Sequence, residues 1–405
     1  SNQTGNNNTS EIDQTGLSND AMLNSTGDNN ISDIDQVGTD NEATVDQVGD
    51  DNDAIVSQDG VENLADVNQE GEEANVSEDN FAEVEQVGLS NEATVNQNGV
   101  ALGASVNNDA FVSQDGTDNE ATVNQVGALI GTSTANSADV EQVGTLNTSL
   151  SNQNGAFFGF SAGNDVTVEQ SGSENNSEVN QDAVFFSSSI GNNTEVAQDG
   201  TSNESLVDQF GGANQTFVDQ VGDRNTSGVD QAGDSNTADV NQIGGFAGVA
   251  EDNLSDVFQD GDLNTATVNQ NGALVGASLN NDADIDQVGD ENTATINQNG
   301  AIFGASVAND ADVIQMGDNN NADISQSGFF GAATAGNTAT VDQDGDSNSG
   351  TIDQTALGGL NAGNDADIMQ LGDSNTGVIT QDGSAHDADI NQTGNSNAST
   401  ITQNN

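Results

Sequence analysis

Small or aliphatic residues return at every second position in short runs along this chain, and the positions between them are polar. In 91–97, NEATVNQ, the alternate positions are Asn91, Ala93, Val95 and Gln97; in 119–125 they are Asn119, Ala121, Val123 and Gln125. Alternation with a period of two is the signature of a strand with one buried face. Gln36, Gln47, Gln58 and Gln69 lie 11 residues apart, after which the spacing alternates between 17 and 11 as far as Gln198. Steps of 11 return from Gln198 to Gln242, and the alternation resumes from Gln242 to Gln354. A step of 16 leads to Gln370, and steps of 11 lead on to Gln381, Gln392 and Gln403. A fixed period of this kind marks a repeat architecture.

Around each glutamine the unit reads N-x-A-x-V-x-Q-x-G-x-x. Asn41, Asn91, Asn119, Asn236 and Asn292 stand six before Gln47, Gln97, Gln125, Gln242 and Gln298. Val45, Val95, Val123, Val240 and Ile296 stand two before them. One unit has Ser25 in place of its glutamine, but Asn19, Ala21, Leu23 and Gly27 keep the phase; Ser151 replaces the valine of another unit. No Asp or Glu occupies the Asn, Ala, Val or Gln position of any unit. Each unit predicts a strand of about seven residues, ended by Gly and a tight polar turn.

Such a strand buries too little to stand alone, whereas stacked copies build one thin continuous core. The predicted fold is all-β: a β-solenoid with two strands per rung facing each other through Ala and Val. Asn and Gln fall at the two ends of the buried face. There each amide can bond its counterpart about 4.8 Å away, in cross-β-like Asn and Gln ladders. The ladders satisfy polar groups that are costly to bury and fix a register that small side chains alone leave loose. The 32 units, counting the partial one at Gln3, make about 16 rungs, or roughly 75 Å of rod. One solenoid is expected over 1–405. Regular units occupy 1–69, and alternating units 70–198, with inserts on one edge. Regular units return over 199–242, alternating units occupy 243–370 with inserts on the opposite edge, and regular units close the chain over 371–405.

Composition changes the picture only after the pattern is seen. The 405 residues include 67 Asp and Glu, a single basic residue (Arg224), one His, 3% aromatics and no Pro, Cys, Trp or Tyr, for a formal charge of −66. Charge and low aromaticity of this kind usually mark disorder, but a disordered chain has no reason to keep its acids out of four positions in every unit. Without cysteine there is neither a disulfide framework nor a thiolate metal site. No run of 18 apolar residues is present, so no helix would insert in a membrane, and the charge argues against nucleic acid as a partner. The chain starts at Ser1 with no signal-peptide hydrophobic region, as an exported chain does after processing or a piece of a longer one does. At roughly one charge per 1.1 Å the rod would exceed the one per ~1.7 Å of duplex DNA, so it must gather counterions. Rows such as Asp282, Asp284 and Asp286 offer oxygen ligands to Ca²⁺, but no specific metal site and no cofactor is expected, only non-specific Ca²⁺ or other counterions.

The chain resembles the curlin-repeat proteins, the subunits of bacterial curli-type extracellular amyloid fibres. Their pattern Gln-x-Gly-x-x-Asn-x-Ala-x-x-x-Gln stands here at 36–47, QVGTDNEATVDQ, and at 114–125, QDGTDNEATVNQ. The resemblance runs along essentially the whole chain and implies a secreted β-solenoid that polymerises into biofilm matrix fibres. It makes this a long, distant member of the family, with 17-residue spacings and no Tyr.

The six extra residues of each long spacing are mostly apolar, as in ALIGTST at 128–134 and AFFGFSA at 156–162, and nine of the 14 Phe lie in them. The insert near 70–79 is acidic. Recurring at every second unit, these turns should align as an apolar ridge. Phe157, Phe158, Phe185, Phe186, Phe303, Phe329 and Phe330 are the candidates for a lateral contact, the alternative being that each ridge packs on its own rungs.

The repeat runs from Gln3 to Gln403, and bare end rungs would template another copy. Head-to-tail stacking, which does not close, then gives filaments. Of the remaining signals, His386 reads as a substituted ladder Asn, and Arg224, in a turn beside Asp223, as half of a surface ion pair. Asn203 and Asn225, in Asn-x-Ser triplets, should point inward. With no second His and no Cys, an enzyme is not expected. Two functions compete: the subunit of an extracellular filament whose partner is itself, and a monomeric acidic solenoid acting as an adhesin or a cation- or ice-binding surface. Thr44, Asp66, Glu83, Thr94 and Phe111 make too mixed a row for ice.

Overall fold

A computed structural model describes residues 1–71, 76–100, 102–128, 130–156, 158–184, 187–244, 249–272, 276–300, 304–328, 332–356 and 359–404. The chain divides into two compact units, one of Ser1–Ala197 with Val207–Asn214 and one of Gln198–Leu206 with Gln215–Asn405. Both are all-β, and among the described residues there is no helix.

In the first unit, strands of alternate repeats stack in parallel. Asp20–Thr26, Glu42–Val48, Leu64–Glu70, Glu92–Asn96, Glu120–Asn124, Thr148–Asn152 and Asn176–Asn180 form one stack. Thr9–Leu17, Ile31–Thr39, Asp53–Val61, Phe81–Leu89, Asp109–Thr117, Ser137–Thr145 and Asp165–Ser173 form the other. Pairing joins like positions, Ala93 with Ala121 and Val95 with Val123, so two repeats make one rung. Register is tight because a slip by one residue would turn every Ala and Val outward and every acid inward.

The second unit is built the same way. One stack holds Thr226–Ala232, Leu254–Asp260, Asp282–Val288, Asp310–Met316, Thr338–Asp344, Asp365–Leu371 and Asp387–Thr393. The other holds Gln215–Asp223, Thr237–Ile243, Thr265–Asn269, Thr293–Asn297, Asn321–Ser325, Ser349–Asp353, Thr376–Asp382 and Ala398–Asn404. These parallel stacks of rungs are a β-solenoid.

Val45, Val95, Val123, Val240 and Ile296 are fully buried between the stacks, each burial contributing about 1.5–3 kcal/mol. The turn that ends each strand explains its glycine. Gly116 has φ 144°, and a Cβ there would lie 1.8 Å from the carbonyl oxygen of Gly144 on the next rung. Two residues on, Asp118 takes the left-handed conformation at φ 54°, which Asp and Asn tolerate well.

The long spacings are more than extended turns. In the first unit they form a third, short parallel stack of Val76–Glu78, Ala104–Val106, Thr132–Thr134, Phe160–Ala162 and Ser188–Ile190. In the second they form one of Val249–Glu251, Ala277–Leu279, Ala305–Val307, Ala333–Ala335 and Leu360–Ala362. The middle residue of each turns inward: Ser105, Ser133 and Ser161 in one unit, Ser278 and Ser306 in the other.

Candidate functional site: the amide ladders

At the closed end of each buried face the glutamines bond one to the next. Gln47 Nε2 donates to Gln69 Oε1 at 3.0 Å, Gln69 to Gln97 at 2.9 Å, Gln97 to Gln125 at 2.9 Å and Gln125 to Gln153 at 2.9 Å. In the second unit Gln242 donates to Gln270 at 2.8 Å, Gln270 to Gln298 at 2.9 Å and Gln298 to Gln326 at 3.0 Å. The other stack of each unit carries its own column, for example Gln86 to Gln114 and Gln287 to Gln315.

The same Nε2 also reaches across the core. Gln97 donates to Phe81 O at 2.8 Å and Asn108 O at 3.0 Å, and Gln298 to Asp282 O at 2.8 Å and Asn309 O at 3.1 Å. A glutamine is long enough both to bond its counterpart on the next rung and to fasten the two facing stacks together. An asparagine there would be too short.

The asparagines close the turns. The backbone N–H of Asn119 donates to Asn91 Oδ1 at 3.2 Å, and Asn119 Nδ2 donates to Asn91 Oδ1 and to Gly144 O, both at 3.1 Å. Asn41 and Asn63 repeat the arrangement, with Asn63 N donating to Asn41 Oδ1 at 3.1 Å. In the second unit Asn264 N donates to Asn236 Oδ1 at 2.9 Å and Asn320 N to Asn292 Oδ1 at 3.0 Å. Asn203 and Asn225 are buried in this same role. His386 keeps the backbone part, its N–H donating to Asn364 Oδ1 at 2.8 Å, and its ring Nε2 lies 3.4 Å from Asp382 O, where a ladder asparagine places its amide.

Both ladders have a direction. The glutamine of each rung donates to the rung later in sequence, while the asparagine oxygen of each rung accepts from the later one. The later-facing side of any rung therefore presents glutamine N–H and asparagine oxygen. The earlier-facing side presents glutamine oxygen and backbone N–H.

Three further polar columns escape the alternation argument. Outward-facing asparagines bond from Asn68 to Asn96 at 3.2 Å, Asn96 to Asn124 at 2.9 Å and Asn124 to Asn152 at 2.8 Å. Where the inward residue of the short stack is serine, it ties its insert down: Asn108 Nδ2 donates to Ser105 Oγ at 2.9 Å, and Ser105 Oγ to Gln125 O at 3.1 Å. Their sequence signal is S-x-x-N, as in Ser105 to Asn108 and Ser278 to Asn281. In the second unit, turn aspartates 262, 290, 318 and 346 each accept the backbone N–H of the preceding rung's aspartate, at 2.8 to 3.0 Å.

Carboxylates on the strand faces are crowded. Asp284 is pushed up to about 6, first by burial and then by repulsion from Asp312, Asp256, Asp286 and Asp282. Asp282, Asp286 and Asp312 are raised as well, burial again being the largest cause. Among the described residues no group of three or more His, Cys, Asp or Glu is placed to hold a metal ion. Arg224 pairs with Glu251 and Asp252 of the next rung, not with its neighbour Asp223.

Of the expected lateral-contact residues, Phe158 is 47% exposed. Phe157, Phe185, Phe186, Phe303, Phe329 and Phe330 lie outside the described residues.

A solenoid of two-repeat rungs joined by in-register amide ladders defines the class of protein. Within that class the chain carries curlin-family repeats: the curlin associated repeat matches residues 27–60, 38–71, 191–222, 213–244, 280–301, 308–329, 362–394 and 372–404. No individual curated protein matches the chain significantly.

Proposed function

We propose that this chain is the structural subunit of an extracellular filament, a functional-amyloid-like fibre of the biofilm matrix, in which copies stack head to tail. The directional glutamine ladder carries this reading. A later-facing rung meeting an earlier-facing rung sets N–H against oxygen at every ladder position, so the joint repeats the contacts already made inside each unit. Head-to-head or tail-to-tail contact would set donor against donor or acceptor against acceptor, leaving buried polar groups unpaired. The curlin repeats support a secreted, structural role over a catalytic one, and the heterologous contact supports open filaments.

Electron microscopy and X-ray scattering of the purified chain test the reading. Long unbranched fibres with a meridional spacing near ~4.8 Å are expected. Monodisperse particles under every condition of pH and salt would reject it in favour of a monomeric acidic surface protein.

A further inference from the structure

We propose that the insert edge of the first unit is a lateral self-association surface, on which two copies of this chain meet side by side through the column Leu102, Ile130 and Phe158. The three residues occupy the same place on successive rungs, 28 positions apart. Their neighbours pair in register, Val100 with Ala128 and Ala104 with Thr132 and then Phe160. They are 58%, 50% and 47% exposed, and Val100 and Phe160, two residues from Leu102 and Phe158, are exposed as well.

Their backbone sets them apart from ordinary exposed apolar residues. Leu102, Ile130 and Phe158 have φ of 72°, 71° and 67°, a conformation natural to Gly, Asn and Asp and unfavourable for bulky or β-branched side chains. At most short turns the left-handed place is taken by a polar or small residue, as at Asp40, Asp51 and Asp118; Leu146 and Leu263 are the large apolar exceptions. Gly103 and Gly131 close these turns by donating to Val100 O at 3.0 Å and Ala128 O at 2.8 Å. The glycine thus stands one place after the strained position, while a large apolar side chain is held outward on three consecutive rungs. Strain retained at one place on three consecutive rungs points to use of the side chain.

Two observations choose a second copy as the occupant. Segments 93–108, 121–138 and 142–164 contain no Asp or Glu, so these three rungs of the edge, beyond the acidic insert near 70–79, are where two chains of charge −66 can approach without opposing carboxylates. In addition, the column repeats once per rung, at the strand spacing of about 4.8 Å. A partner that matches that repeat along its length is another stack of the same rungs, whose ridges fit between these as in a dry zipper. The contact uses the same patch on both copies.

The triple substitution L102N/I130N/F158N in the full chain separates this from packing of each ridge on its own rungs. Asparagine suits the left-handed backbone, so a purely external role leaves the thermal unfolding midpoint unchanged or higher. Sedimentation velocity at 0.15 M NaCl should show wild-type lateral pairs and a variant whose pairing constant is weaker by at least about tenfold; electron micrographs should show filaments of half the width. A lower midpoint would overturn the proposal by showing that the side chains serve their own fold, as would pairing that survives the substitution. Wild-type filaments that are already of single width would also overturn it while leaving head-to-tail stacking intact.

Discussion

Gln125 makes four hydrogen bonds without touching solvent. It accepts from Gln97 at 2.9 Å and donates to Gln153 Oε1 at 2.9 Å, Asp109 O at 2.9 Å and Asn136 O at 3.1 Å. A carboxylate of the same shape accepts but cannot donate. Gln125→Glu should therefore lose on the order of 3 kcal/mol or more at pH 7, with Gln153 Oε1 stripped of its donor and a charge buried. Protonation restores one donor, so the deficit measured by denaturant unfolding should shrink at pH 4. The reverse case is Ser151, which stacks between Val123 and Val179 with its buried hydroxyl lacking a partner. Ser151→Val should raise stability by about 1–3 kcal/mol, since it removes an unsatisfied group and fills the valine column; unchanged or lowered stability would mean the hydroxyl is hydrated in solution.

At the scale of the element, what was legible in the sequence depended on whether alternation carried the information. The inward Asn, Ala, Val and Gln positions were readable because burial excludes acids from them in every repeat. The outward ladder through Asn96 and Asn124 was not, because an outward position reads as solvated whether or not it bonds its neighbour. Nor was the short stack of Ala104–Val106, since three residues are too few for a period and its one clue, S-x-x-N, lies across a turn. The partners of Arg224 likewise depend on which turns the rung brings together.

The stacks also differ in charge, in a way that pairing alone reveals. In the second unit Asp256, Asp284 and Asp312 align on one stack, while Thr265 aligns with Thr293 and Thr267 with Thr295 on the other. Asp284 holds its proton up to about 6 against an ordinary value of 3.8. The folded state thus binds protons that the unfolded state releases, and stability gained below the ordinary carboxylate range is lost as pH rises through about 6. The unfolding midpoint should accordingly be higher at pH 5 than at pH 8. D284N/D312N should flatten that dependence, and an equally steep profile in the variant would place the titration elsewhere.

For the molecule as a whole, charge opposes the association that the ladders favour. Each copy carries −66, and at 0.01 M salt the screening length of about 30 Å lets that charge repel an incoming copy before any rung can meet; at 0.1 M it falls to about 10 Å. Assembly should therefore accelerate by at least about tenfold over that range, the reverse of a process steered by opposite charges. The acids are distributed one or a few per rung along columns, and in the turn column from Asp262 to Asp346 one oxygen of each carboxylate already holds a backbone N–H. Such an arrangement favours diffuse screening over coordination by a single ion. Followed by light scattering, CaCl₂ and MgCl₂ at matched ionic strength should shorten the lag to the same extent, each more than NaCl because divalent ions concentrate more strongly around a polyanion. Acceleration by micromolar Ca²⁺ alone would mean that some carboxylates gather into a true calcium site on assembly, and would replace screening with coordination as the step that brings copies together.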